Sequence, residues 1–250
     1  MTQKRALITG ASDGIGREFA VQLGREGWQV TAVARNEGRL KEVVAGLGGG
    51  AKYLLADLGT AEGVKIAADE LKSSHYDLLV NNAGFAVNGR FSDSSLERQQ
   101  EMIDVNVKAV VSLAYAFLGQ AKSGDALINL SSGLAFLPMP SVGLYAATKA
   151  LVTSFSESLW YEQKSRGIYV MGLCPGITVT SFFRNSGGGE LKAPSILTQT
   201  ASQVVAKALR ELKARRKPSV LSGTMNNILA FTTRFRTRKS VVRQMGAMAS

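Results

Sequence analysis

Residues 9–16 read Thr9-Gly10-Ala11-Ser12-Asp13-Gly14-Ile15-Gly16, directly after the apolar run Arg5–Thr9 and directly before a helical pattern that opens Arg17-Glu18-Phe19-Ala20. A glycine-rich turn between a strand and a helix lets backbone N–H groups approach a pyrophosphate, and the helix N-terminus adds partial positive charge at the same point. The spacing is G-x-x-x-G-x-G, and it assigns Gly10, Ser12, Asp13, Gly14, Ile15 and Gly16 to a phosphate-binding turn. A glycine turn alone also serves purely structural ends. Its place at the first strand of a βαβ unit is what points to a nucleotide.

Outward from that turn, apolar, β-rich runs occur at Arg5–Thr9, Gln29–Ala34, Tyr53–Ala56, Asp77–Val80, Ala126–Leu130, Ile168–Leu173 and Ser219–Leu221. Helical patterns lie between them at Gly14–Glu26, Leu40–Leu47, Glu62–Ser73, Leu96–Leu118, Tyr145–Ser165 and Ala201–Leu212. Alternating strands and helices form a parallel sheet covered on both faces, and strands buried on both faces read as continuous apolar runs. The expected fold is α/β, a doubly wound Rossmann-type parallel sheet of about seven strands with helices on both faces and a basic C-terminal extension. No repeat or Pro/Ser-rich linker divides residues 1–222, which read as a single dinucleotide-binding and catalytic domain. The irregular stretch Thr178–Thr198, with Gly187–Gly189 inside it, exceeds the usual loop length of about 4–6 residues and reads as a lid.

The 250 residues are 45% hydrophobic and 20% charged, the composition of a folded protein. Cys174 is the only cysteine and His75 the only histidine, which excludes intrachain disulfides, Cys/His zinc sites and a His-based triad; no metal is expected. Residues 126–148 are uncharged but carry Asn129, serines and prolines, unlike the roughly 20 predominantly apolar residues of a membrane span. The apolar segment before Gly10 is too short for a secretory core of about 7–15 residues, so the expected address is the cytoplasm. The net charge of +11 is concentrated near the end: residues 207–250 hold eleven Lys/Arg against one acidic residue, Glu211. The body is close to neutral, and the tail is basic.

The second strand ends Val33-Ala34-Arg35, where an acidic residue would accept from the ribose 2′-hydroxyl of NAD. Arg35 stands there instead, with Arg39 one helical turn on, and both suit a charge-assisted pair with a 2′-phosphate. NADP(H) is therefore the expected cofactor. Further along, Tyr145 and Lys149 sit four residues apart on a helical pattern and so share a face. An ammonium beside a phenol favours the phenolate and is expected to lower the tyrosine pKa, giving an acid/base pair.

Together, TGASDGIG at 9–16, NNAG at 81–84, Asn106, Ser132, YAATK at 145–149 and Pro175-Gly176 resemble the short-chain dehydrogenase/reductase family over about residues 4–222. The resemblance implies a nicotinamide cofactor and a catalytic set of Asn106, Ser132, Tyr145 and Lys149. Tyr145 matches the general acid in carbonyl reduction. Lys149 matches the residue that lowers its pKa and holds the nicotinamide ribose. Ser132 would bond the substrate oxygen, and Asn106 would hold a water linked to the lysine. The resemblance also implies adenine contacts from Asp57 and Leu58, a cofactor cleft lined by Asn81, Ala83 and Gly84, a bond to the nicotinamide carboxamide from Thr180, and cofactor contacts from Pro175, Gly176 and Thr178, the last standing where the family more often has valine. The competing reading is a cofactor-binding regulatory or scaffold protein of the same fold without turnover.

Leu134, Phe136, Leu144, Ile177, Phe182 and Phe183 are expected near the bound carbonyl and include no cation, so the expected substrate is a small apolar carbonyl or alcohol. A homodimer or homotetramer is expected through two helices. One carries Ala109, Val110, Leu113, Ala114 and Phe117, the other Leu151, Phe155 and Leu159. In residues 223–250, Ile228, Phe231, Phe235, Val242 and Met245 fall at helical spacing among arginines. Packing on the domain or on a partner subunit is favoured for this extension. A peripheral contact with an anionic membrane is the alternative, and nucleic acid is disfavoured by the neutral body.

Overall fold

The computed structural model describes residues 3–48, 50–187, 198–223, 232 and 235–249. Its strands are β1 (Arg5–Thr9), β2 (Gln29–Ala34), β3 (Lys52–Leu55), β4 (Leu78–Asn81), β5 (Ala126–Leu130), β6 (Tyr169–Cys174), β7 (Ile177–Val179), β8 (Thr198–Thr200) and β9 (Ser219–Leu221). Seven of them form one sheet in the order β3-β2-β1-β4-β5-β6-β9, every pair parallel. β4, β5 and β6 are buried along their whole length, as strands with both faces covered must be. β7 and β8 form a separate parallel pair at the two ends of the stretch read as a lid. Within that stretch, residues 188–197 lie outside the described residues.

The helices are α1 (Gly14–Arg25), α2 (Glu37–Ala45), α3 (Ala61–Ser73), α4 (Leu96–Ile103), α5 (Val110–Gln120), α6 (Gly143–Glu162), α7 (Phe182–Asn185), α8 (Ala201–Ala214) and α9 (Arg238–Ala249). Asp13, Asn36, Thr60, Ser95 and Thr200 cap α1, α2, α3, α4 and α8 with side-chain oxygens that accept from first-turn backbone N–H groups. The Asn36 cap explains why α2 starts at Glu37 rather than at Leu40. α1, α2 and α8 bury Phe19, Leu40 and Val205 against one sheet face. α3, α5 and α6 bury Ala67, Leu113 and Leu159 against the other. The long helix Leu96–Gln120 is long and apolar enough to cross a membrane by composition alone, but 44% of its apolar window is buried inside this fold.

Topology fixes where a ligand can sit. The chain runs from β1 outward to β3, then returns to place β4 on the other side of β1. The crossovers after β1 and β4 therefore leave in opposite directions, and a crevice opens at the carboxyl ends of these two strands. α4 and α5 are joined by a π-helical turn, Asp104–Ala109. A widened turn of this kind occurs frequently at functional sites, and this one carries Asn106.

Two sequence expectations change here. Ala109, Val110, Leu113, Ala114 and Phe117, expected on an oligomer face, are buried in the core, as is Leu159. The sheet consumes that stripe, and the large apolar residues left outside are Val111 and Tyr115 on α5 and Leu151 and Tyr161 on α6. In the basic extension the expected stripe is rotated. Val241 and Met245 of α9 are buried with Leu137 and packed by Leu134 and Met139, whereas Phe235 and Val242 face outward. Ile228 and Phe231 lie outside the described residues. A carboxylate placed in that satellite cluster is moved from water into apolar surroundings. Val241→Asp is expected to lower the melting temperature of the full-length protein by several degrees, read by calorimetry; an unchanged value would contradict this packing.

Candidate active site

After β1 the backbone enters the left-handed region at Gly10 (φ 64°). A Cβ at Gly10 would lie 2.7 Å from Asn82 Nδ2 and 2.9 Å from Ala83 Cα, and one at Gly16 would strike the Gly10 carbonyl and the Asn82 amide. Gly10 and Gly16 are thus demanded by the close approach of the segment after β4 as well as by the turn. Asn82 itself, not singled out from the sequence, donates from Nδ2 to Thr9 O at 2.8 Å and Gly10 O at 3.3 Å. Thr9 Oγ1 accepts from the backbone N–H groups of Asn82 (2.9 Å) and Ala83 (3.0 Å). Asp13 accepts from Gly14 N at 2.7 Å, from Arg39 Nη1 at 3.3 Å and from the Ser181 hydroxyl. Ser12 stands half-buried in the turn.

At the far end of the turn, Arg35 reaches Asp57 Oδ2 at 3.8 Å and remains 68% exposed. Arg35, Arg39, Asp13 and Asp57 thus gather at the end of β2. Thr180 packs on the turn, its Cγ2 standing 3.3 Å from where a Gly14 Cβ would be. Pro175 O accepts Gly133 N at 2.7 Å, which joins Pro175-Gly176 to the segment that follows Ser132.

Four residues assigned to the cofactor cleft turn their side chains elsewhere. Asn81 is buried between strands and donates to Asn129 Oδ1 at 3.0 Å and Val110 O at 3.3 Å. Its amide serves the sheet because the β4–β5 register sets it directly beside Asn129. Leu58 is buried in the core on the α3 and α5 side, and Ile15 packs against the core of the opposite face. Both have only backbone to give. Thr178 turns its hydroxyl back to Gly176 O at 3.0 Å.

The reactive cluster forms where β5 ends. Ser131 donates to Lys149 O at 2.7 Å and shares a 2.6 Å bond with Thr153, so it anchors α6. Ser132 accepts from Leu134 N at 3.2 Å, and its hydroxyl stands near enough to the Tyr145 phenol to favour the phenolate. Tyr145 and Lys149 are buried one turn apart on α6. Lys149 Nζ donates to Leu130 O at 2.9 Å and lies 5.7 Å from the Tyr145 ring centroid. Asn106 is fully buried and clamps the Phe85 backbone, accepting from its N–H at 3.1 Å and donating to its carbonyl at 2.9 Å. Asn106 Nδ2 also reaches Thr148 Oγ1 at 3.2 Å. Gly84 leaves the space these groups share: a Cβ there would lie 2.8 Å from Asn106 Oδ1 and 3.2 Å from Lys149 Nζ.

Burial sets the titration of this pair. It pushes the Tyr145 phenol up to about 12, with the Ser132 hydroxyl working against it, and pulls Lys149 down to about 8. The expected lowering of Tyr145 by Lys149 is not what this arrangement produces, since the ammonium is directed to Leu130 O and desolvation of the phenolate dominates. Burial also pushes the Cys174 thiol up to about 11, so it is an inert core residue.

The fold and this cluster define a nucleotide-dependent oxidoreductase, and the chain belongs to the short chain dehydrogenase family, whose model matches residues 4–190. It is similar to an uncharacterized oxidoreductase of Staphylococcus epidermidis, 33% identical over 217 residues that cover 84% of this chain and 92% of the relative. Among solved structures it is similar to a short-chain dehydrogenase from Sphingobium yanoikuyae in complex with NADPH, with a TM-score of 0.81 and 30% identity over 87% of each chain. A short chain dehydrogenase from Burkholderia cenocepacia in complex with NADP gives a TM-score of 0.79 and 28% identity over 90% of this chain and 98% of that one.

The lysine shift has a thermodynamic signature. Unfolded, Lys149 titrates near 10.5, and folded, near 8. In between, the unfolded state holds more protons, so this group makes stability rise with pH across that window. Tyr145, raised from 10.0, acts in the opposite sense only above about 10. Urea denaturation at about pH 8 and pH 10 is expected to show a smaller rise in Lys149→Met than in the unaltered protein; equal rises would contradict the assignment.

Proposed function

We propose that the protein is an NADP(H)-dependent oxidoreductase acting on a C=O/CH–OH group of a small apolar substrate. The observation that carries this reading is the meeting of Ser132, Tyr145 and Lys149 beside Asn106, at the same end of the sheet as the glycine turn. The cradle left by Gly10 and Gly16 fits a pyrophosphate: it brings backbone close to the ligand where any Cβ would intrude. When bound, the nicotinamide supplies or accepts the hydride.

The chain's own groups manage the proton. With a pKa of about 12, Tyr145 Oη holds its proton at neutral pH and is the donor to a carbonyl oxygen that gains charge. Ser132 Oγ, near the same hydroxyl, stabilises that oxygen. Lys149 is an ammonium below about pH 8 and supports the phenolate left after transfer. Asn106 is a positioning residue that fixes the Phe85 backbone against α6.

Arg35 and Arg39 support a preference for NADP(H), because Arg35 stands directly after β2 where an acidic residue would take the ribose hydroxyl of NAD, and Arg39 lies one helical turn on. The NADPH and NADP in the two similar structures support the same choice. An apolar substrate is favoured by Leu134, Leu144 and Phe182, which pack in one cluster with Tyr145; the Phe182 and Tyr145 ring centroids are 5.7 Å apart. We place the protein in the cytoplasm as a homodimer or homotetramer, with Val111 and Tyr115 on α5 and Leu151 and Tyr161 on α6 as the uncovered apolar face. α9 and its cations form an outer layer over Leu137, where an anionic membrane contact is the alternative use.

Tyr145→Phe keeps the ring and removes the proton. NADPH oxidation with an apolar ketone is expected to fall at least about a hundredfold, while NADPH affinity stays within about twofold. Retained turnover would refute the acid assignment, and a scaffold without turnover would show tight NADPH binding but no oxidation in the unaltered protein. Arg35→Ala is expected to weaken NADPH binding by about 1.5 kcal/mol, the lower end for a charge-assisted bond because Arg35 is exposed, and to leave NADH nearly unchanged. Equal losses, measured by titration calorimetry, would refute a 2′-phosphate contact.

A further inference from the structure

Beside the reactive cluster lies a cavity of about 330 Å³ between the segment after β4 and the start of α6. Val87, Phe91, Pro140 and Leu144 give it apolar walls, with Arg90 and Gln99 among its polar residues. Val87 and Leu144 also pack in the cluster that contains Tyr145, so the cavity adjoins the apolar surroundings of that side chain. The walls are tied together across the opening, since Gly89 N donates to Ser141 O at 2.8 Å.

Gln99 is the unexplained member. It is 5% exposed, and its Oε1 is a buried oxygen without a hydrogen-bond partner among the described residues. The other such atom, Asn81 Oδ1, belongs to an amide whose nitrogen already ties β4 to β5. Gln99, Met102 and Asn106 stand at i, i+3 and i+7, so one side of the α4 helix and its π turn presents all three. Met102 is fully buried in the Tyr145 cluster, and Asn106 stands beneath Lys149 and Gly84. Gln99 therefore belongs to the active-site side of α4, one turn before Met102. An apolar side chain would fill that place without leaving a polar atom bare, and buried acceptors are nearly always satisfied.

We propose that Gln99 is a specificity-determining residue that hydrogen-bonds a hydroxyl carried by the substrate at a distance from its reacting carbonyl. This deepens the carbonyl/alcohol reading above and rests on it. A carboxamide offers one acceptor and two donors, and a hydroxyl, both donor and acceptor, complements it in either orientation of the amide. The substrate class is then an apolar ketone or secondary alcohol with one remote hydroxyl. A site built to bond such a group discriminates strongly against the analogue that lacks it, because the buried amide is left unpaired.

The test uses the full chain with NADPH and a series of aryl alkyl ketones, each with a side chain opposite the ketone that ends in either hydroxyl or methyl, at several chain lengths. At one length the hydroxylated member is expected to exceed its methyl partner by at least about tenfold in kcat/KM. Gln99→Met, similar in shape, is expected to bring that ratio within about twofold. A variant that merely loosened the fold would lower both members alike, and an unchanged ratio would overturn the proposal, as would the absence of any preference in the unaltered protein. Calorimetric binding of the same pairs to the NADPH complex reads the ratio without turnover. Preferential binding with no oxidation would refute the reductase reading and leave Gln99 in its role; no binding of any member would overturn the Gln99 proposal.

Discussion

Everything at the reactive end of this protein depends on a staple between two neighbouring strands. The Thr9 hydroxyl accepts two consecutive backbone N–H groups from the segment after β4, and the Asn82 amide returns to the carbonyls of Thr9 and Gly10. Four hydrogen bonds thereby hold the glycine turn and the Asn82–Gly84 segment in contact just where the sheet reverses its winding. The turn cannot drift from β1 because its carbonyls are engaged, and the following segment cannot lift because its N–H groups are engaged. Gly84 is delivered to Asn106 and Lys149 by the same contact. The glycine turn and the Ser132–Tyr145–Lys149 cluster are thus two ends of one rigid object.

Burial shapes the chemistry of that object. Tyr145 and Lys149 are each pushed toward their neutral forms, because the same apolar surroundings disfavour a phenolate and an ammonium alike. A phenol that keeps its proton is a ready donor and a poor base. For the acid role proposed for Tyr145, carbonyl reduction would need no prior adjustment of the phenol, whereas alcohol oxidation would require the phenolate to be made more accessible. Occupation of the adjoining cleft by a cationic group would move the balance in that direction.

The sheet was legible from the sequence because its strands are buried on both faces and read as uninterrupted apolar runs; β1, β2, β5 and β9 have the expected ends. The meeting of Ser132, Tyr145 and Lys149 follows from helical spacing and from the resemblance. Four features escaped for separate physical reasons. Asn81 and Asn82 are neighbours of the same type, yet strand alternation sends one amide into the sheet and the other to the glycine turn. The expected oligomer face failed because an amphipathic stripe looks the same whether a sheet or a subunit covers it. The tail stripe was right at Met245 but wrong at Phe235 and Val242, because cations interrupt the pattern, and only contact with Leu137 reveals Val241 as the second inner residue. Gln99 left no local mark at all, since a glutamine on a polar-looking helix reads as solvated until its burial is known.

The π turn at Asp104–Ala109 has an effect on how this protein can change over time. Each extra residue in a helical turn advances the angular phase of the downstream helix by about 100°. α5 therefore meets the sheet with a face set independently of the one α4 shows to the cavity. A replacement at Gln99, which lines the cavity, is separated by this turn from the register of Leu113 and Phe117 on the sheet. The widened turn acts as a mechanical clutch between a fixed engine and a variable tool-holder, so a new substrate can be adopted without retuning the core beneath it.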